Sequence, residues 1–344
     1  MKPGLSVAVV IVVIVALSAG IVVGQLNGFL DGPIDLQNEQ VSFEIEQGAS
    51  FGNIAAKLEQ QGIIASASKL RFYARWSEQA GRVQAGEYLI ENGSTPRQIL
   101  EQFISGAVKL YSFTIIEGWN QWDLLRALHG DPQLNATMTE EDWPALLAEL
   151  GANTSHPEGL FLPETYHFPN GTSDRKLLAQ AYELSARTLA DEWANRSEDS
   201  IVDTPYEALI LASIIEKETA RVDERKRIAG VFTRRVNKGM RLQTDPTVIY
   251  GIGRDFNGNL TRKDLRTPTP YNTYTRHGLP PTPIAMPGQA AINAALHPEE
   301  GEELYFVATG LSDGSHKFSV TKEEHDAAVA EYLQRLRSRR NGAR

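Results

Sequence analysis

Two glutamates close an apolar run in the middle of the chain: Leu209-Ile210-Leu211-Ala212-Ser213-Ile214-Ile215 leads into Glu216-Lys217-Glu218-Thr219. Counting by three and four from Leu211 puts Ile214, Ile215 and Glu218 on one helical stripe, with Val222 next if the helix continues. Glu216 falls on the other side with Ala212 and Ser213, and is expected to pair with basic neighbours on a wetter face. A carboxyl group among apolar neighbours loses hydration, so its proton affinity rises. An acid still protonated near neutral pH can hand that proton to a leaving oxygen. The same placement also suits a structural ion pair with Arg221, Arg225 or Arg241, and spacing alone leaves both readings open.

Other chemistries find little support. The chain has no cysteine, which excludes disulfides, thiolate metal sites and cysteine nucleophiles. The seven histidines (His129, His156, His167, His277, His297, His316 and His325) show no tight metal spacing, so no metal and no other cofactor is expected. Gly251-Ile252-Gly253 lacks the rest of a phosphate loop, and no Gly-x-Ser-x-Gly elbow occurs. A net charge of −9 makes the surface a poor binder of nucleic acid, whose phosphates need clustered Lys and Arg. A neutral or mixed-charge polymer remains a possible substrate.

The elements that must position these acids follow from pattern and punctuation. The chain has 344 residues, 42% hydrophobic and 22% charged, room for two modest domains. Alternation predicts a strand over 41–46, turned by Gly48, then a helix capped by Ser50 and ended by Gly62. A second short helix is expected over 68–77, a strand over 86–90, and a helix opened by Thr95-Pro96 that runs through Phe103. Ser42-Phe43-x-Ile45-x-x-Gly48 is echoed by Ser112-Phe113-x-Ile115-x-x-Gly118, each a strand–glycine turn–helix unit, the second helix running over 120–128. Helices are expected over 140–150, 173–195 and 205–238, and a long ordered loop over 241–287. Strands over 304–309 and 317–320 precede a helix over 322–336, capped by Thr321. The basic tail 337–344 reads as a frayed end.

Residues 5–23 are almost wholly apolar and uncharged, and a bilayer span takes ~20 such residues. Lys2 and the terminal amine favour the cytoplasm, which puts the chain after Gly24 outside. A cleaved signal peptide with Ala16-Leu17-Ser18 as its site is the rival reading, and a buried core helix a third. The organisation expected is a cytoplasmic stub (1–4), a transmembrane helix (5–24), a linker (25–40), a small domain (41–108), a larger one (109–336) and the tail (337–344).

The chain resembles the YceG-like endolytic murein transglycosylases. The likeness is carried by Glu117-Gly118, Glu158-Gly159-x-x-x-Pro163-Glu164-Thr165-Tyr166, Ala212-Ser213-Ile214-Ile215-Glu216-Lys217-Glu218-Thr219, and the block from Gly239 to Gly251 that contains Gln243-Thr244-Asp245-Pro246-Thr247. It continues through Tyr271-Asn272-Thr273-Tyr274, Gly278-Leu279-Pro280-Pro281-x-Pro283-Ile284 and His316-x-Phe318. One departure is His325-Asp326, where the family pattern suggests asparagine after the histidine, at a site read as peripheral.

The resemblance implies an α+β protein: an N-terminal transmembrane helix, a small LysM-like α/β subdomain and a larger mixed α+β catalytic domain. It implies cleavage between N-acetylmuramic acid and N-acetylglucosamine within peptidoglycan glycan strands, leaving 1,6-anhydro ends. It also implies partnership with peptidoglycan synthases at the cytoplasmic membrane. The family's catalytic glutamate matches Glu218. Glu164, Tyr166, Gln243, Asp245, Tyr250, Tyr271, Asn272 and Tyr274 are candidates to hold the sugars, although each aromatic suits a core equally well and Asp245 before Pro246 suits a turn. Glu164 as a second acid would make the enzyme a hydrolase instead. A non-catalytic glycan-binding scaffold is the third reading.

Overall fold

The structure, a computed structural model, describes residues 3–342. Met1 and Lys2 of the expected cytoplasmic stub, and the last two residues of the basic tail, lie outside them. The chain is mixed α+β, in the order α1 (Pro3–Asp31), β1 (Gln40–Ile45), α2 (Phe51–Gln60), α3 (Ala67–Trp76), β2 (Gly86–Glu91), α4 (Pro96–Ser105), β3 (Leu110–Thr114), α5 (Gln121–Gly130), β4 (Leu134–Asn135), α6 (Trp143–Glu149), β5 (Thr165–Pro169), β6 (Thr172–Ser173), α7 (Asp174–Ala194), α8 (Pro205–Glu218), α9 (Val222–Asn237), α10 (Asp245–Ile252), α11 (Gln289–Leu296), β7 (Tyr305–Ala308), β8 (His316–Ser319) and α12 (Lys322–Gly342). It divides into two compact units, one running to Tyr111 with His167–Gly171 added, the other formed by Ser112–Tyr166 and the chain from Thr172.

In the first unit β1 and β2 pair antiparallel, Gln40 opposite Glu91 and Ile45 opposite Gly86. Alternation turns Phe43, Ile45, Tyr88 and Ile90 into a core shared with Ile54 and Leu58 of α2, Leu70 of α3, and Ile99 and Phe103 of α4. Burying each of the larger of these side chains is worth ~1.5–3 kcal/mol. The expected caps are present: the Ser50 hydroxyl accepts from the Asn53 N–H, and Thr95 forms a capping box with Gln98. The span Val9–Asp31 has a mean hydropathy of 2.7, and its most apolar stretch is wholly exposed, which overturns the core-helix reading. The helix is long and apolar enough to cross a membrane. It also runs past the expected boundary at 24, taking up seven residues of the supposed linker, because Leu30 is fully buried and Leu26 and Phe29 pack beside it. Arg97 on α4 fastens the helix end by pairing with Asp31 at 2.7 Å.

In the second unit α8 is the central element. Every residue from Ala208 to Ile215 is buried, so this stretch of α8 has no wet face, contrary to the amphipathic expectation; Lys217, near the helix end, is exposed. α11 packs on α8, α9 and α7, and Ser213 accepts the Ile284 N–H at 3.0 Å. The helical region expected over 205–238 is two helices: the backbone leaves the helix at Thr219 (φ −145°, ψ 134°) and restarts at Val222, which is 64% exposed instead of extending the stripe. The expected loop over 241–287 contains α10, with Pro246 in its first turn. β7 and β8 form an antiparallel hairpin, and α12 packs against both strands. α12 continues through the supposed frayed tail as far as Gly342.

Candidate functional site

Glu216 and Glu218, two residues apart, have different surroundings. The Glu216 side chain is 4% exposed and accepts from Arg225 at 2.7 Å and from the Gly288 N–H at 3.0 Å. The same Arg225 nitrogen reaches Glu117 at 3.0 Å. Burial pushes the Glu216 carboxyl up; the Gly288 N–H and Arg225 hold it back. The expected basic partner is present, but the wetter face is not, because the segment leading into α11 covers that side. Glu216 is therefore a buried tie between α8, α9 and the chain entering α11.

Glu218 ends α8 at the wall of a cavity of about 390 Å³. It is in no ion pair among the described residues, so the arginine pairing open at the level of sequence is not formed. Its carboxyl accepts a short hydrogen bond from the Thr244 hydroxyl. Burial raises its pKa to about 7; the Thr244 hydrogen bond and Arg235 oppose this, and the neighbouring Asp245 adds to it. The negative end of the α8 dipole works in the same upward direction. The acid is thus half-protonated near neutral pH, the condition for both giving and taking a proton.

The elements around the cavity explain its composition. Thr244 stands at the N-cap of α10, yet its hydroxyl makes no cap bond and is spent on Glu218. A cap is ordinarily worth ~1 kcal/mol, so helix stability is forgone for the site. Gln243, just before it, lines the cavity with φ +54°, a conformation uncommon outside glycine and concentrated at functional sites. Asp245 also lines it and accepts the Tyr274 hydroxyl at 2.6 Å. Burial and the Asp245 carboxylate both raise the Tyr274 pKa, keeping the phenol protonated. Arg235 is buried, with Nε on the Leu304 carbonyl at 2.7 Å.

Of the candidates, Gln243, Asp245 and Tyr274 are therefore gathered with Glu218, and the other five are not. The Asn272 side chain is fully buried, and its amide donates to the carbonyls of Asp264, Leu265 and Thr267 at 3.1, 3.3 and 2.8 Å. It pins the loop and has no donor left for a sugar. Tyr166 is 7% exposed and donates to the Leu162 carbonyl at 2.7 Å, a core position. Glu164 is exposed, and its carboxylate accepts its neighbour's N–H from Thr165 at 2.9 Å. Tyr250 and Tyr271 pack edge to face at 4.9 Å, outside this cavity.

Sequence reasoning missed Thr244, Arg235 and His316. His316 lines the cavity with its Nδ1 2.7 Å from the Glu224 carboxylate. The His-x-Phe spacing drew the eye to His316 but assigned it no role. His325, read as peripheral, also lines the cavity and stacks on Tyr305 at 5.2 Å, while Asp326 pairs outward with Lys322.

Comparison with known proteins bears on the same residues. A protein of Bacillus subtilis (strain 168) described as an endolytic murein transglycosylase is 30% identical over 310 residues, 85% of each chain. A protein of the same description from Streptococcus pneumoniae (strain D39) is 27% identical over 334 residues; this chain spans 60% of its length. A crystal structure of a YceG-like protein from Listeria monocytogenes aligns with a TM-score of 0.54 at 31% identity, covering 85% of this chain and 99% of that one. Residues 43–331, which include Glu218 and every side chain around its cavity, match the YceG-like family, and the chain belongs to that family.

Proposed function

We propose that this protein is an endolytic peptidoglycan lytic transglycosylase, with Glu218 as its single acid and base. The observation that carries this reading is an unpaired glutamate with a pKa near 7 in the wall of a cavity, in a chain whose relatives bear that description. Protonated Glu218 gives its proton to the oxygen bridging N-acetylmuramic acid and N-acetylglucosamine as that bond breaks. The resulting carboxylate takes the proton from the C6 hydroxyl of the same muramic ring, whose oxygen bonds to C1. The proton returns to Glu218, no water is consumed, and a 1,6-anhydro end forms. Because the nucleophile is tethered to the ring it attacks, effective molarities of ~10⁵ M or more make a second catalytic carboxylate unnecessary.

Gln243, Asp245 and Tyr274 are proposed to hold the sugars there, and Thr244 to position Glu218. The hydrolase alternative loses Glu164, which is exposed and turned onto Thr165, but keeps Asp245, which shares the cavity. Mass spectrometry of digested glycan strands separates the two. Anhydro ends from the wild type, with no cleavage by a folded Glu218→Gln variant, are expected. Reducing ends refute the transglycosylase reading, cleavage by the variant refutes Glu218 as the catalytic acid, and intact cellular function of a non-cleaving variant favours the scaffold.

The β–α–α–β order of the first unit supports its reading as a LysM-like subdomain. We assign it a structural role, as the unit that packs on the end of α1. The apolar α1 is the proposed single-pass anchor in the cytoplasmic membrane, N-terminus inside, and strand synthases are the proposed partners; co-purification of the full chain with a synthase checks that partnership.

A further inference from the structure

A second cavity, of about 270 Å³, also reaches the end of α8. Glu218 lines the first cavity and its neighbour Lys217 lines the second. α10 is divided in the same way, with Asp245 at the first and Tyr250 at the second. Five residues of helix put those two positions ~7.5 Å apart along the axis.

The second cavity has a built aromatic wall. The Trp122 and Tyr250 rings stack with centroids 5.7 Å apart at 29°. Each ring is anchored by a carboxyl group. The Trp122 Nε1–H donates to Glu140 at 3.0 Å, and the Tyr250 hydroxyl donates to Glu158 at 2.9 Å. Glu158 is fully buried, and its second carboxyl oxygen has no hydrogen-bond partner among the described residues. A buried, half-satisfied acid is costly and calls for a reason; fixing Tyr250 supplies one. Burial also raises the Glu158 pKa to about 8, so it remains largely a neutral acid beside the Tyr250 hydroxyl. Arg254 and Arg126 at this cavity are each paired, with Glu140 and Asp123. Lys217 is exposed; its ammonium donates to the Gly118 carbonyl at 3.0 Å and has no carboxylate partner among the described residues.

We propose that this cavity is a second sugar position on the strand. It takes an N-acetylhexosamine ring beyond the bond held at Glu218, laid against Trp122 and Tyr250, with Lys217 donating to a carbonyl or carboxylate of that unit. The inference rests on the glycan-cleaving reading above. The volume, near the ~300 Å³ lower end of ligand clefts, suits one ring better than a length of strand. Two positions flanking one acid are what cutting inside a strand requires, because polymer must extend to both sides of the broken bond. Trp122 and Tyr250 are binding residues in this account, and Glu158 is a positioning residue acting through Tyr250.

The test uses the full chain in detergent and purified uncrosslinked glycan strands. Trp122→Ala is expected to raise KM for long strands about tenfold, the upper end for one aromatic contact, with a smaller change in kcat. Trp122→Phe, which keeps a platform, recovers most of that loss. The same substitution in a Glu218→Gln background weakens strand binding measured by calorimetry about tenfold. If Trp122→Ala does not fold, Lys217→Met in both backgrounds is measured instead and is expected to weaken binding in the same direction. Equal KM and equal binding with and without Trp122 (or, in the fallback, Lys217) overturn the second position. A Glu218→Gln chain that still cuts strands overturns the catalytic reading instead, so the two failures are distinct.

Discussion

Replacing Thr244 with valine tests whether Glu218 works as a titrating acid. The hydroxyl of Thr244 donates to the Glu218 carboxyl, and that bond favours the charged form. Valine keeps the shape and the main-chain bonds: the Thr244 N–H still reaches Thr273 at 3.1 Å, and its carbonyl still accepts Thr247 at 2.8 Å. A hydrogen bond to a charged group is worth ~1.5–3 kcal/mol, which corresponds to ~1–2 pKa units. Glu218 borders a cavity, so water replaces part of the loss and about one unit is expected. The sign follows from the role. The acid donates only when protonated, so activity is present below its pKa and is lost as pH rises through it. The alkaline limb of kcat/KM, which reports the free enzyme's acid, should move from about pH 7 to about pH 8. Asp245→Asn is the opposing control: Asp245 raises the Glu218 pKa, so its neutralisation should move the limb down. The assay is initial rate on purified strands from about pH 5 to about pH 9, with folding checked by circular dichroism. A limb that stays in place in both variants, or moves the same way in both, refutes Glu218 as the proton donor.

Two further outcomes follow. Arg225 is 3% exposed and holds Glu216 and Glu117 together; Arg225→Ala should destabilise the fold by ~3–5 kcal/mol near pH 8 and by less near pH 5, where the stranded, buried Glu216 takes up a proton, as urea unfolding at the two pH values would show. An equal loss at both pH values contradicts the charge argument. Deleting residues 41–108 from a Glu218→Gln chain should leave most of its affinity for glycan strands, measured by co-sedimentation; a large loss makes the LysM-like unit a glycan binder in its own right.

Much of the local architecture is legible in the residues. The caps at Ser50, Thr95, Asn120 and Ser173 each satisfy an N–H two or three residues ahead, so sequence contains both partners. The hydrophobic length of α1 and the alternation of β1 and β2 are equally local. Glu218 stood out because an acid on an apolar stripe is itself a local anomaly.

Other features depended on what arrives from far along the chain. Whether Glu218 would meet an arginine or a cavity was decided by Thr244 and Asp245 at the start of α10, and by the β7–β8 hairpin that brings in His316. Glu216 looked like the wetter of the two acids until the chain entering α11 covered it. Asn272 and Tyr166 carry the right groups for sugar contact, yet folding consumes those groups on backbone carbonyls. A residue's chemistry and helical face are set by its neighbours in sequence. Its proton affinity and its free hydrogen-bonding capacity depend on water removed and partners supplied by distant segments, and only the tertiary structure determines those.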